Sequence, residues 1–297
     1  MTTENVRRAL ASGDLSLGTF VIEFATEGIG ALTARAGADW VLYDLEHTGW
    51  SLDRIRPALA VSRREEIASF VRVIGTAQHL VSGALDAGAE GIMVPYVNSA
   101  EQAAAVVSWM KYPPLGVRGS AMGIAHDLYT GGKPGPKQAA ANEFTLFLPQ
   151  IETPEAVAHA HTIAAVDGVD VLFVGPMDLS TNLGAPGDFT TVEFRDALAR
   201  VGEAARSAGK AAGIFSVDDE LTRAAITEGF QVISHTADFA IYQSALRSQL
   251  TAMRSWASDS GERPPGRGGR LRNGRPTSHA AASRTVWRPT VGWPPPG

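Results

Sequence analysis

Between residues 15 and 257 the chain alternates two kinds of pattern. Short apolar runs rich in Val, Ile and Phe occupy 18–24, 40–45, 67–73, 91–97, 145–151, 169–175, 211–217 and 231–236. Most are apolar throughout, as strands covered on both faces are; a half-exposed strand would alternate. Longer segments with a helical period lie between them. Residues 51–62 open on Ser51 in an N-cap position and set Leu52, Ile55 and Leu59 on one side. Residues 76–87 repeat Leu80, Ala84 and Ala87 ahead of Gly88, a natural helix stop. Residues 99–110 begin Ser-x-Glu, and 154–166 carry proline in the first turn, where its missing N–H costs nothing. Eight strands alternating with eight helices over about 240 residues predict an α/β fold, a (β/α)₈ TIM barrel. A doubly wound sheet would need a phosphate fingerprint after its first strand, and Gly28-Ile29-Gly30 lacks the third glycine.

Composition agrees with a folded body and sets one end apart. Of 297 residues, 44% are hydrophobic and 19% charged, too apolar for a wholly disordered chain. No run approaches the length of apolar sequence that a membrane span requires. The first ten residues carry Glu4, Arg7 and Arg8 and lack the apolar core of a secretion signal. Cysteine is absent, which excludes disulfides, thiolate metal sites and cysteine nucleophiles and points to a cytoplasmic enzyme. The net charge of −5 is uneven: 258–297 hold seven arginines against Asp259 and Glu262, leaving −10 on the rest. Pro and Gly supply 14 of those last 40 residues. The prediction is therefore a barrel domain over 1–257 and a disordered, solvated Pro/Gly/Arg-rich tail over 258–297. The acidic body offers no basic face for nucleic acid.

Barrel chemistry sits at the C-terminal ends of the strands. There the sequence places Asp44, Glu46 and His47 after strand two, Arg72 on strand three and Gln150 with Glu152 on strand five. Asp178 follows strand six, and Ser216 and His235 end strands seven and eight. Apolar runs that end repeatedly in ionisable groups are costly unless those groups serve a site. Glu152 and Asp178 come from neighbouring strands, and two hard carboxylates suit Mg²⁺ or Mn²⁺ better than zinc. The alternative for Glu152 is to cap the helix that starts at Pro154. Gly175-Pro176-Met177-Asp178 turns from strand into helix, and the free N–H groups of Met177 and Asp178 suit a carboxylate. A 2-oxo acid chelating the metal fits this set. Arg72 would stabilise its enolate oxygen, and His47 would move a proton near neutral pH.

Lysine placement chooses between mechanisms. Lys111, Lys133, Lys137 and Lys210 all lie away from strand C-terminal ends, which disfavours a Schiff-base aldolase. The glycine-rich phosphate site of many barrels, after strands seven and eight, is missing, which favours non-phosphorylated acids. The longest connection, 116–144, contains Gly131-Gly132-Lys133-Pro134-Gly135-Pro136-Lys137, which has no Ser or Thr after its lysines and is no Walker loop. A connection this long is expected over the active site or at a subunit contact.

Together the motifs resemble one family. They are Trp40-Val-Leu-Tyr-Asp44-Leu-Glu46-His47, Val71-Arg72, Leu85-Asp86-Ala-Gly88-Ala89, Val94-Pro95, Tyr112-Pro-Pro-Leu-Gly116-Val-Arg118-Gly119, Gln150-Ile-Glu152-Thr and Gly175-Pro-Met-Asp178-Leu-Ser180. In order and spacing, over residues 5–255, they are similar to the HpcH/HpaI aldolases, class II pyruvate aldolases. The resemblance implies His47 as proton acceptor and Arg72 as transition-state stabiliser. Asp86 would raise the basicity of the histidine, from across a subunit interface, and Asp44 would be a further partner of His47. Glu152 and Asp178 would hold a divalent cation, Mg²⁺, Mn²⁺ or Co²⁺. Gln150, Gly175, Pro176 and the backbone at Met177 and Asp178 would hold the pyruvoyl group. The resemblance also implies a homo-oligomer, trimer or hexamer, that exchanges its last helix, with which Leu246 and Leu250 are compatible.

Departures from the family concern the second substrate. Thr48-Gly49-Trp50 is bulkier than the Ala-Pro of well-known members, and Phe20, Glu23 and His235 are expected near the mouth. Glu23 and His235 are read as a polar pair for a hydroxylated or cationic aldehyde. The leading expectation is a metal-dependent aldolase joining or releasing pyruvate, or hydroxypyruvate, and an aldehyde through a metal-stabilised enolate. Alternatives are an oxaloacetate-type decarboxylase on the same residues and a non-catalytic barrel scaffold.

Overall fold

The computed structural model describes residues 2–259. The apolar runs become eight strands: β1 Ser16–Val21, β2 Trp40–Asp44, β3 Ala68–Arg72, β4 Gly91–Val94, β5 Leu146–Ile151, β6 Val171–Val174, β7 Ala211–Ser216 and β8 Val232–Ala237. They pair in parallel in chain order, and β8 closes on β1, completing the expected (β/α)₈ barrel. Residues on a strand alternate faces. Trp40 and Leu42, Ala68 and Phe70, Leu146 and Leu148, and Val171 and Phe173 fill the interior with Phe20 and Met93. Their neighbours Val41, Tyr43, Val71, Phe147, Leu172 and Val174 pack with the helix-side core. Continuing that period turns the next residues, Asp44, Arg72 and Gln150, inward at the strand ends. Pairing of β2 with β3 sets Asp44 directly opposite Arg72.

Large rings dominate the interior. Trp40 is fully buried, stacks on Phe70 at 5.7 Å and meets Phe20 edge-on at 6.4 Å. Burying each such ring stabilises the fold by roughly 1.5–3 kcal/mol. The space comes from Gly18 on β1, where a Cβ would lie 2.1 Å from the Trp40 ring.

Twelve α-helices occur among the described residues, more than the eight predicted. α1 Thr3–Ser12 precedes the barrel; its Val6 joins the interior cluster and closes the N-terminal end of the strands. α2 Ile29–Arg35, α3 Leu52–Arg64, α4 Gln78–Asp86 and α5 Ala100–Met110 follow the first four strands. α6 Pro134–Phe144 is the last part of the long connection. The single helix expected over 154–166 is α7 Pro154–Ala158 and α8 Ala160–Ala164, broken at His159, whose Nδ1 meets the Asn98 carbonyl at 2.8 Å. α9 Pro176–Asn182, α10 Val192–Ser207, α11 Asp219–Thr227 and α12 Asp238–Asp259 complete the set. One unit comprises Met1–Ser248, and a second begins at Gln249, where residues 249–259 continue α12. The predicted tail lies outside the described residues from 260 onward.

The 116–144 connection does not cover the strand C-termini. It runs from α5 into the start of β5, so it belongs to the opposite end of the barrel. Arg118 pairs with Asp86 at the end of α4 at 2.7 Å. Beside it Lys111 Nζ donates to the carbonyls of Asn142 and Thr145, at 2.6 and 3.1 Å. No described helix is long and apolar enough to cross a membrane.

Candidate active site

At the ends of β2 and β3 one guanidinium is held on two sides. Arg72 Nε and Nη2 donate to the two oxygens of Asp44 at 2.8 and 2.7 Å, and Nη1 stands 3.2 Å from Glu46. Asp44 is fully buried and also accepts the Glu46 N–H at 2.9 Å. Arg72 lies over the Phe20 ring at 5.4 Å. Burial opposes the charge of Arg72, but the hydrogen bonds and charge of Asp44 outweigh it and raise its pKa. Asp44 is thus the partner of Arg72, and its side-chain hydrogen bonds go to Arg72 and the Glu46 N–H and not to His47. The reason is register: β2–β3 pairing and face alternation aim Asp44 at Arg72. His47, in the loop beyond β2, is exposed and meets Glu46 at 3.8 Å.

A second group of acids comes from β5 and α9. Glu152 is buried, accepting Gln150 Nε2 at Oε1 (2.9 Å) and the Tyr96 N–H at Oε2 (3.1 Å). It does not cap α7. Thr153 does, accepting the Ala156 N–H at 3.0 Å, which leaves Glu152 free to turn into the mouth. Gly175 makes room for it, since a Cβ there would lie 2.1 Å from Glu152 Oε1. Gly175 occupies the N-cap position of α9, Pro176 its first turn, and Met177 and Asp178 follow. Asp178 accepts the Tyr96 phenol at 2.9 Å. Gln150 Oε1 is buried without a hydrogen-bond partner among the described residues.

The two groups feel one another. Burial, with the charges of Asp178 and Glu46, pushes Glu152 up to about 8, against the lowering effect of the Tyr96 N–H and of Arg72. Burial likewise raises Glu46, with Arg72 opposing. Asp44, Glu46 and Glu152 therefore act on one guanidinium that Asp44 already engages, and Asp178 adds its charge beside Glu46 and Glu152. Excess buried negative charge beside hard oxygen donors is what a divalent cation relieves, so the residues present fit such an ion. Among the described residues no group of three His, Cys, Asp or Glu is placed to hold a metal. A site of two carboxylates leaves its remaining positions to water and substrate.

Other predicted residues are not brought to this mouth. Asp86 ends α4 at the far end of the barrel, paired with Arg118. His235 faces outward from β8, its Nδ1 2.9 Å from Thr222 Oγ1 and its Nε2 3.7 Å from Asp219 of α11. Ser216 joins the same chain through Thr222 at 2.6 Å. The expected Glu23–His235 pair does not form, because alternation turns Ser234 inward and His235 out. Sequence reasoning missed Tyr96 entirely. Its side-chain type carries no signal, and its role depends on a backbone φ of +53° that no local motif announces.

The chain matches the family of HpcH/HpaI aldolases and citrate lyases over residues 21–245. It is 36% identical to a hydroxypyruvate/pyruvate aldolase of Roseovarius nubinhibens, over 85% of this chain and 98% of that protein. It is 32% identical to a 2-keto-3-deoxy-L-rhamnonate aldolase of Salmonella gallinarum, over 84% of this chain and 92% of that one. The crystal structure of an HpcH/HpaI aldolase from Desulfitobacterium hafniense superposes with a TM-score of 0.78 at 29% identity, covering 84% of this chain and 96% of the other. Closed barrel, strand-end acids and sequence agree: the chain belongs to the HpcH/HpaI aldolase/citrate lyase family.

Proposed function

We propose that the protein is a class II aldolase that forms or cleaves 4-hydroxy-2-oxo acids, working between pyruvate or hydroxypyruvate and an aldehyde. The observation that carries this reading is Glu152, buried at the end of β5, held by Gln150 and the Tyr96 N–H, and tied through Tyr96 to Asp178. The aldolase names of the relatives support it. Glu152 and Asp178 are the residues to hold a divalent cation, Mg²⁺, Mn²⁺ or Co²⁺, which when bound supplies Lewis acidity toward the 2-oxo acid.

The chain's own groups do the rest. The N–H groups of Met177 and Asp178 receive the substrate carboxylate, and Gln150, Gly175 and Pro176 shape the pocket for the 2-oxo end. In cleavage His47 takes the proton of the C4 hydroxyl, directly or through water, as the C3–C4 bond breaks and the aldehyde leaves. The bonding electrons move toward the 2-oxo oxygen, where Arg72, aimed by Asp44, stabilises the developing charge. A proton returned to C3 gives the methyl of pyruvate. A role for Asp86 requires a second copy of the chain, consistent with a cytoplasmic homo-oligomer.

The test is proton exchange. Metal-stripped protein with pyruvate in D₂O should lose the methyl signal by NMR only after Mg²⁺, Mn²⁺ or Co²⁺ is added. Glu152→Ala and His47→Ala should abolish that loss. Absence of exchange with every cation would overturn the reading.

A further inference from the structure

Tyr96 is a residue of the mouth to which the mechanism above gives no task. It follows Pro95 at the end of β4 and sits at φ +53°, in the left-handed region that side chains with a Cβ adopt at a cost. That conformation aims two donors from one residue. Its N–H reaches Glu152 Oε2 at 3.1 Å, and its phenol reaches Asp178 Oδ1 at 2.9 Å. The residue is 42% exposed, so core packing does not explain the strained backbone. Tyr96 thus ties together two carboxylates that come from different elements, the end of β5 and the start of α9. Asp178 Oδ2 carries no hydrogen bond among the described residues.

We infer that Tyr96 is a positioning residue: it sets Asp178 against Glu152, and its hydroxyl holds Asp178 by one oxygen so that the other meets the divalent cation. This rests on the metal-dependent reading. Groups that orient a ligand through a hydrogen bond change metal affinity by about 10–100-fold when removed. The backbone contact to Glu152 survives any side-chain change, so the phenol's share can be measured alone.

The experiment compares wild type with Tyr96→Phe and Tyr96→Gly. Mn²⁺ binding without substrate is followed by EPR of the free ion, and melting of the cation-free proteins is followed by circular dichroism. Tyr96→Phe should bind Mn²⁺ about tenfold more weakly, with an unchanged cation-free melting temperature. Tyr96→Gly relieves the left-handed strain, so its melting temperature should hold or rise while affinity falls at least as far. Affinities of both variants within about twofold of wild type would overturn the inference while leaving the aldolase reading intact. Weaker binding in Tyr96→Phe accompanied by a lower cation-free melting temperature would mark a merely structural role and overturn it equally. A wild type that binds no Mn²⁺ would sink the metal-dependent reading and this inference with it.

Discussion

Asp44 and Arg72 stand opposite each other on neighbouring strands, one fully buried and the other nearly so. Removing one partner of such a pair leaves an uncompensated charge in a dry place, at about 3–5 kcal/mol. Asp44→Asn keeps the shape and removes the charge. It should lower stability by that order in urea unfolding and also cut turnover, because the guanidinium loses its anchor. Replacing both, Asp44→Leu with Arg72→Met, should restore much of the stability and none of the activity. An Asp44→Asn variant as stable as wild type would show that the pair does not compensate a buried charge. Both residues were visible as charged ends of apolar runs. Their pairing was not, since it depends on a register set by strands 28 positions apart.

The junctions that follow strands carry the rest of the site. At β5–α7 the cap falls to Thr153, which releases Glu152 from a local duty that the sequence alone left open. At β6–α9 the absent side chain of Gly175 is where the Glu152 carboxylate lies. Gly175→Ala would push that carboxylate aside, and displacements near 1 Å cost about 100-fold in rate. The expected result is a fall in kcat/KM of that order with about 1–3 kcal/mol lost in stability; unchanged kinetics would mean that Glu152 yields without consequence. Elements also explain the two misplacements. The order of strand, helix, connection and strand assigns 116–144 to the N-terminal end of the barrel, whereas its length alone pointed to the active site or a subunit contact. His235 lies two residues before the end of β8, and side-chain alternation sends it toward α11.

For the whole molecule, the gathering of acids at one mouth makes stability depend on pH and on cations. Glu152 is raised from 4.5 to about 8. Its neutral form is the better tolerated in the fold, so its favourable contribution is present below pH 4.5 and is lost as pH rises through about 8. The cation-free protein should therefore lose melting temperature across that window. Glu152→Gln should lose less, so the gap between the two widens in favour of the variant as pH rises. Saturating Mg²⁺ or Mn²⁺, which selects the ionised carboxylate, should narrow that gap. A wild-type profile parallel to that of the variant would show that Glu152 does not titrate in this range.

Strand runs, the barrel count and the residue types at the strand ends are legible along the chain alone. Those properties are written in neighbours along the chain: apolar period, proline at a first turn, glycine at a stop. That Asp44 serves Arg72 and that Tyr96 reaches both Glu152 and Asp178 was settled by the fold. Each of these follows from closing eight strands into a barrel. Closure fixes register, buries some charges beside others, and holds a backbone dihedral that no short segment would choose alone.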